Sequence, residues 1–389
     1  MNKRIIACFV SLVIVVGAFM PGVCLAKQNG NKWVTSESWT VAMYISGDNN
    51  LEKYWDDISL VSLLKLRAND QLTIVAYVDR LSVNGTNVFN ISGSEVQPAA
   101  SYGEMNFGSG ATFQWFLEDV ERNYTSDKLA VVAWDHGYAW RYISDDDTSG
   151  DSRITMPALQ AAIEGAGVYI DVLAFDACNM ASIEVAYQLA LTELVGFMVA
   201  SEESVPTTGF PYDLMLGPTA LDTSRSPADM ATDMVLGFQE LYEPQTWAST
   251  VALSAVDLSV LMDSADEVGA WTAAMYSCLP AYRDIYKLDL KASYFAWCTH
   301  YHVDIADFGD TLLDDTAITD EGLRAATADM VTSIDGSVIA NWGGRAALEA
   351  RGLTLWWGYG GDWNLYSEAY AEVAFAVDMG WWTLLDEYN

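Results

Sequence analysis

The sequence predicts an α/β fold: a mostly parallel sheet covered by helices on both faces, extended by a helix-rich C-terminal part. Three observations predict it. Apolar runs of strand length recur through the first half of the chain, segments of helical period alternate with them, and the alternation blurs after Pro211. Strands that are apolar on both faces must be covered on both, and that is the parallel, helix-connected arrangement.

Taken in order, residues 39–45 form the first apolar run, closed by Ser46-Gly47-Asp48, and helical spacing follows over 51–66. Residues 72–78 repeat the strand pattern, and a segment rich in Gly, Asn and Ser runs to about residue 110. Phe113, Phe116, Leu117 and Val120 then share one helical face. Residues 129–134, 169–175 and 194–200 read as three further strands, with helices expected over 156–165 and from Ala181 to about Thr192. Beyond Pro211 helical patterns dominate to about Tyr242, a strand is expected at 250–256, and the rest is mostly helical apart from a strand at 352–357.

At the start of the chain, Lys3 and Arg4 precede an apolar run that ends in Val23-Cys24-Leu25-Ala26. That pattern reads as a secretory signal cleaved after Ala26, the run being short for a membrane span. An uncleaved anchor is the alternative, and no later stretch is expected to span a membrane. The expected organisation is signal 1–26, polar lead-in 27–38, α/β core 39–215, and a C-terminal part 216–389 that packs on the core and completes the fold. The location expected is secreted or extracytoplasmic, either free or associated with the cell surface.

The net charge is −34, and it becomes −36 once the signal leaves with its two basic residues. Such a surface repels nucleic acid and anionic lipid, leaving solubility, or attraction of basic peptides or multivalent cations, as its roles. Export leaves Cys178, Cys278 and Cys298, an odd count. A Cys278–Cys298 bridge with Cys178 reactive and a set of three inert thiols are both open. Scattered cysteines and only three histidines argue against structural zinc.

Two strands end in residues that carry chemistry. The 129–134 strand runs into Asp135-His136-Gly137, and the 169–175 strand into Asp176-Ala177-Cys178-Asn179. Neighbouring parallel strands would set His136 and Cys178 side by side at the carboxyl edge of the sheet, where ligand sites gather. A thiolate nucleophile needs such an imidazole. Gly137, lacking a side chain, lets its N–H approach a substrate, and the Cys178 N–H near the start of the next helix supplies a second oxyanion donor.

The blocks Ala133-Trp-Asp-His-Gly137 and Phe175-Asp-Ala-Cys-Asn-Met-Ala-Ser-Ile-Glu-Val-Ala-Tyr187 closely resemble the clostripain family of cysteine peptidases. Tyr44-Ile-Ser-Gly-Asp-Asn-Asn-Leu-Glu52, Val199-Ala-Ser-Glu-Glu203 and Gly209-Phe-Pro-Tyr-Asp213 extend the likeness, with weaker echoes at His302–Phe308 and 352–356. The resemblance implies a caspase-like three-layer sandwich, a His136–Cys178 dyad and hydrolysis after Arg or Lys in peptide or protein substrates. Asp176 matches the carboxylate at the base of the family's primary pocket; capping the following helix is its structural alternative. Glu202 and Glu203 either add charge to that pocket or solvate a loop.

Between the two blocks, residues 141–153 are polar and acidic with Arg141 and Arg153 near the ends, and an exposed loop is expected there. The resemblance implies maturation by self-cleavage after one of these arginines. No cofactor is required on this reading, although the acidic stretch and the family likeness leave calcium open. The rival readings are an inactive caspase-like binding or adhesion module displaying some of the 15 Trp and 20 Tyr, and a thiol hydrolase acting on non-peptides.

Overall fold

The structure, a computed structural model, describes residues 37–294 and 301–389 together with the backbone strands Leu25–Lys27 and Trp33–Thr35. Those two strands pair antiparallel in a unit of their own, and residues 37–389 form one compact unit. The apolar signal segment before Leu25, and Cys298 of the expected Cys278–Cys298 pair, lie outside the described residues. No helix among the described residues is long and apolar enough to cross a membrane.

In chain order the strands are β1 (Trp39–Gly47), β2 (Leu72–Arg80), β3 (Val83–Ser92), β4 (Glu95–Ser101), β5 (Lys128–Trp134), β6 (Ile143–Asp146) and β7 (Ser152–Ile154). They continue as β8 (Ile170–Asp176), β9 (Val195–Ala200), β10 (Ala252–Asp257), β11 (His302–Asp304), β12 (Val338–Gly343) and β13 (Thr354–Trp356). Nine of them form the central sheet in the order β12-β10-β9-β8-β5-β1-β2-β3-β4. The five inner strands from β9 to β2 are mutually parallel, and the strands outside them are antiparallel.

The near-continuous apolar runs have the expected cause. Every residue of β1 is buried, and successive residues go to opposite faces. Ala42, Tyr44, Val131, Ala133, Leu173 and Phe175 enter one core, whereas Val41, Met43, Ile45, Val132, Val172 and Ala174 enter the other. The first core is roofed by α1 (Gly110–Asn123), α2 (Met156–Ala166) and α3 (Ile183–Ala190), and the second by the 52–63 helical segment and α4 (Pro227–Tyr242). Trp271, on α5 (Ala265–Ala292), and Trp357 and Trp381 join the first core, so with α4 on the second the C-terminal part adds strands β10 and β12 to the sheet and bulk to both faces.

Four expectations change. The Gly/Asn/Ser-rich segment is the antiparallel pair β3/β4, which carries little apolar signal because β4 is an exposed sheet edge. The strand at β12 falls where only helix was expected, and its residues are only partly buried. The 352–357 run stays outside the central sheet: β13 pairs antiparallel with β11 in a separate ribbon. Finally, residues 141–153 are not an exposed loop but the hairpin β6/β7. It is docked by Ser46 Oγ and Asn49 Nδ2, which donate to Asp145 O at 2.9 and 3.1 Å, and by Asp147 N, which donates to Asp48 O at 2.9 Å. Those polar partners sit far away in sequence, which is why the stretch reads as solvated.

Glu184 fastens the ribbon to the core. Fully buried in the first turn of α3, it accepts from Trp356 N at 2.8 Å and from Tyr370 Oη at 2.9 Å. Glu184→Ala should strand both donors and cost about 2–4 kcal/mol in a urea unfolding titration, while Glu184→Gln, which keeps an acceptor, should lose less than half of that.

Candidate active site

Strands β5 and β8 are parallel neighbours in register, Trp134 opposite Asp176. Two residues beyond those ends stand His136 and Cys178, and both line one cavity of about 130 Å³ with Tyr54, Asp176, Val205 and Gly209. The two loops are pressed together. A methyl group added at Gly137 would lie 2.8 Å from both the Cys178 carbonyl oxygen and Met180 Sδ, so glycine is demanded by this contact. Gly137 also bridges to Ile143, and because the bonds run from Tyr138 N and Ser144 N at 3.0 Å, the bridge does not consume the Gly137 N–H.

The cysteine loop leaves β8 as a turn. Asn179 is left-handed at φ 61°, a conformation asparagine tolerates. Its N–H donates to Glu203 O at 3.0 Å, and its Nδ2 donates to Glu202 O at 2.7 Å. Helix α3 therefore starts later than expected, with Ser182 as its N-cap accepting from Val185 N. Cys178 lies four positions before that cap, so its N–H is not part of a helix terminus. Cys178 Sγ lies 3.8 Å from Val205 O.

His136 Nε2 lies 2.8 Å from Asn50 Oδ1. The amide oxygen only accepts, so Nε2 carries the proton and the basic lone pair is on Nδ1. Burial lowers the His136 pKa, with Arg153 pushing the same way against Asp145 and Asp147. Asp135 does not orient the ring through its carboxylate: buried, it accepts from Asn49 Nδ2 at 2.7 Å and from Asp145 N, fixing the hairpin instead.

Asp176, 5 % exposed, does not cap α3, since Ser182 does. Its Oδ2 accepts from Tyr212 Oη at 2.7 Å and Phe210 N at 3.2 Å, whereas Oδ1 accepts nothing among the described residues. Burial pushes the Asp176 carboxyl up to about 6 against those two donors. No lysine or arginine pairs with it among the described residues. Glu202 and Glu203 do not join this cavity. Glu202 is buried beside Asp304, holding Gly352 N at 2.6 Å, and Glu203 accepts from Tyr294 Oη.

The two arginines diverge. Arg141 is stacked between the rings of Tyr138 and Tyr366, at 4.6 and 4.1 Å, and is half-buried. Arg153, exposed, pairs with Asp145 across the hairpin and lies over Tyr142 at 4.5 Å. Asn50, Phe210 and Tyr212 fall inside sequence blocks singled out for resemblance, yet nothing in the residue pattern marks them as the partners of His136 and Asp176.

A thiol and an imidazole at adjoining strand ends of a caspase-like α/β sandwich, beside a cavity floored by an unpaired carboxylate, define a class of cysteine peptidase architecture. The sequence model of the clostripain family matches residues 43–351, and the chain belongs to that family of cysteine peptidases. Clostripain from Hathewaya histolytica is 26% identical over 264 residues, covering 57% of this chain and 48% of that protein; the chain spans about half the length of that relative. Among solved structures, an inactive zymogen C11 protease from Parabacteroides distasonis shares the fold with a TM-score of 0.69 and 17% identity over 89% of this chain and 99% of its own. A secreted C11 cysteine protease from Bacteroides thetaiotaomicron gives a TM-score of 0.70 at 17% identity over 88% and 99%. The same kind of protein bound to an irreversible peptide inhibitor gives 0.66 at 18% identity over 89% and 99%.

Asn50 is exposed and touches the imidazole only at its far nitrogen. Asn50→Ala should leave the unfolding midpoint unchanged and slow alkylation of Cys178 by iodoacetamide roughly tenfold, the scale expected when a group that orients a catalytic ligand is lost.

Proposed function

We propose that this chain is an exported cysteine endopeptidase that cuts peptide bonds after Arg or Lys, with Cys178 as nucleophile and His136 as base. The observation that carries this reading is the shared cavity, in which the thiol, the imidazole and the unpaired Asp176 carboxylate all take part. The peptide-inhibitor complex of the Bacteroides thetaiotaomicron protease on the same fold supports it.

In the proposed cycle the Cys178 thiol gives its proton to His136 Nδ1 and the sulfur attacks the scissile carbonyl carbon. The carbonyl π electrons move to oxygen, and the Gly137 and Cys178 N–H groups meet that oxyanion. When the intermediate collapses, the C–N bond breaks, the imidazolium donates its proton to the leaving amine, and a thioester remains. His136 then takes a proton from water as the hydroxide adds to the thioester carbonyl; when this second intermediate collapses the C–S bond breaks, the carboxylic acid product forms, and the imidazolium returns its proton to the departing sulfur. The lowered His136 pKa keeps a neutral base available at neutral pH.

Specificity is assigned to Asp176 Oδ1, the acceptor left for a guanidinium or ammonium group. Only the ionised carboxylate binds a cation well, and its pKa is raised to about 6. Activity on Arg substrates should therefore rise with pH through about 6 and fall as pH drops below it. Asp176→Asn should lower kcat/KM for Arg and Lys peptides about 10²–10⁴-fold and remove that acidic limb. If this variant keeps its preference for basic residues, the assignment is wrong. A basic peptidyl chloromethyl ketone that leaves Cys178 unlabelled would point instead to an inactive binding module.

Self-cleavage after Arg141 or Arg153 is part of the proposal, and exposure favours Arg153, whose charge acts on His136. The purified wild-type chain should yield a fragment beginning at Ile154 or Tyr142, and Cys178→Ala should stay whole. Cutting of the Cys178→Ala protein at the same bond, when purified alone, would rule out self-processing.

A further inference from the structure

Two acids outside the proposed catalytic cavity meet behind the cysteine loop. Glu202 lies in the turn after β9 and Asp304 ends β11, and they are 1 % and 0 % exposed. Consecutive backbone amides bring them together: Arg351 N donates to Asp304 Oδ2 and Gly352 N to Glu202 Oε1, each at 2.6 Å. The two side chains are themselves hydrogen-bond partners. Between two carboxyl groups such a bond requires a proton, because a carboxylate oxygen only accepts.

The surrounding donors decide where that proton sits. Asp304 spends both oxygens on amides, Oδ2 on Arg351 N and Oδ1 on Asp307 N at 2.8 Å. Glu202 spends only Oε1, and its Oε2 is sealed from solvent and receives no donor. A proton on Oε2 turns that idle atom into a donor toward Asp304, whereas a proton on Asp304 would compete with an amide N–H.

No nearby cation relieves the pair. Two buried carboxylates in contact cannot both be ionised unless a cation joins them, and no lysine or arginine pairs with either among the described residues. The groups that face them are the acids Glu203 and Asp307, and Tyr294, which donates its hydroxyl to Glu203 and its amide to Asp307. The guanidinium of Arg351 turns to Asp310 and Asp335 instead. Burial first, then the charges of Asp304 and Glu203, hold the Glu202 carboxyl well above its ordinary range.

The turn that carries Glu202 is also the cradle of the cysteine loop. The carbonyls of Ser201, Glu202 and Glu203 accept from Ala181 N, Asn179 Nδ2 and Asn179 N at 2.9, 2.7 and 3.0 Å, and Val205 O lies 3.8 Å from Cys178 Sγ. We propose that Glu202 is a positioning residue for Cys178: a proton on its Oε2, shared with Asp304, pins this turn to the β11/β13 ribbon and so fixes the loop that carries the sulfur. The positioning role rests on the reading of Cys178 as nucleophile, whereas the shared proton does not.

Infrared difference spectroscopy on the full chain, in the Cys178→Ala background to keep it whole, tests the proton directly. Subtracting the spectrum of the chain that also carries Glu202→Gln at pH 7.5 should leave one protonated-carboxyl C=O band, and its absence overturns the proposal. Stability supplies a second arm. Glutamine keeps an acceptor for Gly352 N and a donor for Asp304, so Glu202→Gln should match or exceed its parent in Tm, while Asp304→Asn, which turns an N–H toward an amide donor, should lose several degrees. The folded chain keeps a proton that the unfolded chain releases in the ordinary glutamate range, so stability falls as pH rises until the folded pair gives it up. The Tm gain of Glu202→Gln over its parent should therefore grow from pH 5 to pH 8. A Glu202→Gln chain as unstable as Asp304→Asn, or a gain that does not change with pH, overturns the shared proton. With Cys178 present, Glu202→Ala should slow alkylation of Cys178 by iodoacetamide about tenfold, read at its peptide by mass spectrometry, and Glu202→Gln should restore the rate. Equal rates in all three chains overturn the positioning role. The expected pattern in a chain that cuts no basic peptide supports the proposal and counts against the peptidase reading instead.

Discussion

The site depends on one constraint, the register of β5 against β8. Parallel neighbours lie about 4.8 Å apart and rise together, and with Trp134 opposite Asp176 the chain delivers His136 and Cys178 at the same height. The contact of Gly137 with the Cys178 carbonyl closes the remaining gap. A one-residue slip would turn each following side chain to the opposite face. It would also move Leu173 and Phe175 out of one core and Val172 and Ala174 out of the other, so hydrophobic packing over both faces locks the chemistry in place.

Around that constraint the chain places dry carboxylates as anchors for loop amides. Asp135 holds Asp145 N, Asp176 holds Phe210 N, Glu184 holds Trp356 N, Glu202 holds Gly352 N, and Asp304 holds Arg351 N at 2.6 Å. Apart from the local Asp135–Asp145 bond, each joins segments at least 34 residues apart. Burial is the largest cause that drives every one of these carboxyls upward in pKa, neighbouring acids add to it at Asp135, Glu202 and Asp304, and the amide donors offset part of the cost. An excess of acid that reads in composition as a solubilising surface is thus partly internal scaffolding.

This divides what is legible in the sequence from what is not. The five parallel strands were readable because burial on both faces leaves an unbroken apolar run, and the strand-end motifs followed from them. Edge strands β4 and β12 were not, since a partly wet strand carries a mixed pattern. The hairpin at 143–154 was misread for a related reason: its docking partners Ser46, Asp48 and Asn49 lie almost a hundred residues earlier, and local polarity carries no trace of them. His136 and Cys178 show in their own motifs, whereas Asn50 reaches His136, and Tyr212 reaches Asp176, only through the fold.

The buried acids also differ in a way that separates scaffold from function. Glu184 spends Oε1 on two donors, and its other oxygen is sealed in the protein interior. Asp176 likewise spends one oxygen on two donors, but its residue borders an open cavity and the second oxygen is not sealed. An acceptor that is dehydrated, held rigid by Tyr212 and Phe210, and still reachable from solvent gains most from an incoming cation, because the cation supplies the counter-charge the protein withholds. Asp79 withholds more, with both oxygens unpartnered, but it lies deeper and beside two other acids. The proposed recognition of a basic side chain therefore falls to Asp176, whose residue borders the cavity shared with His136 and Cys178, and not to the deeper Asp79.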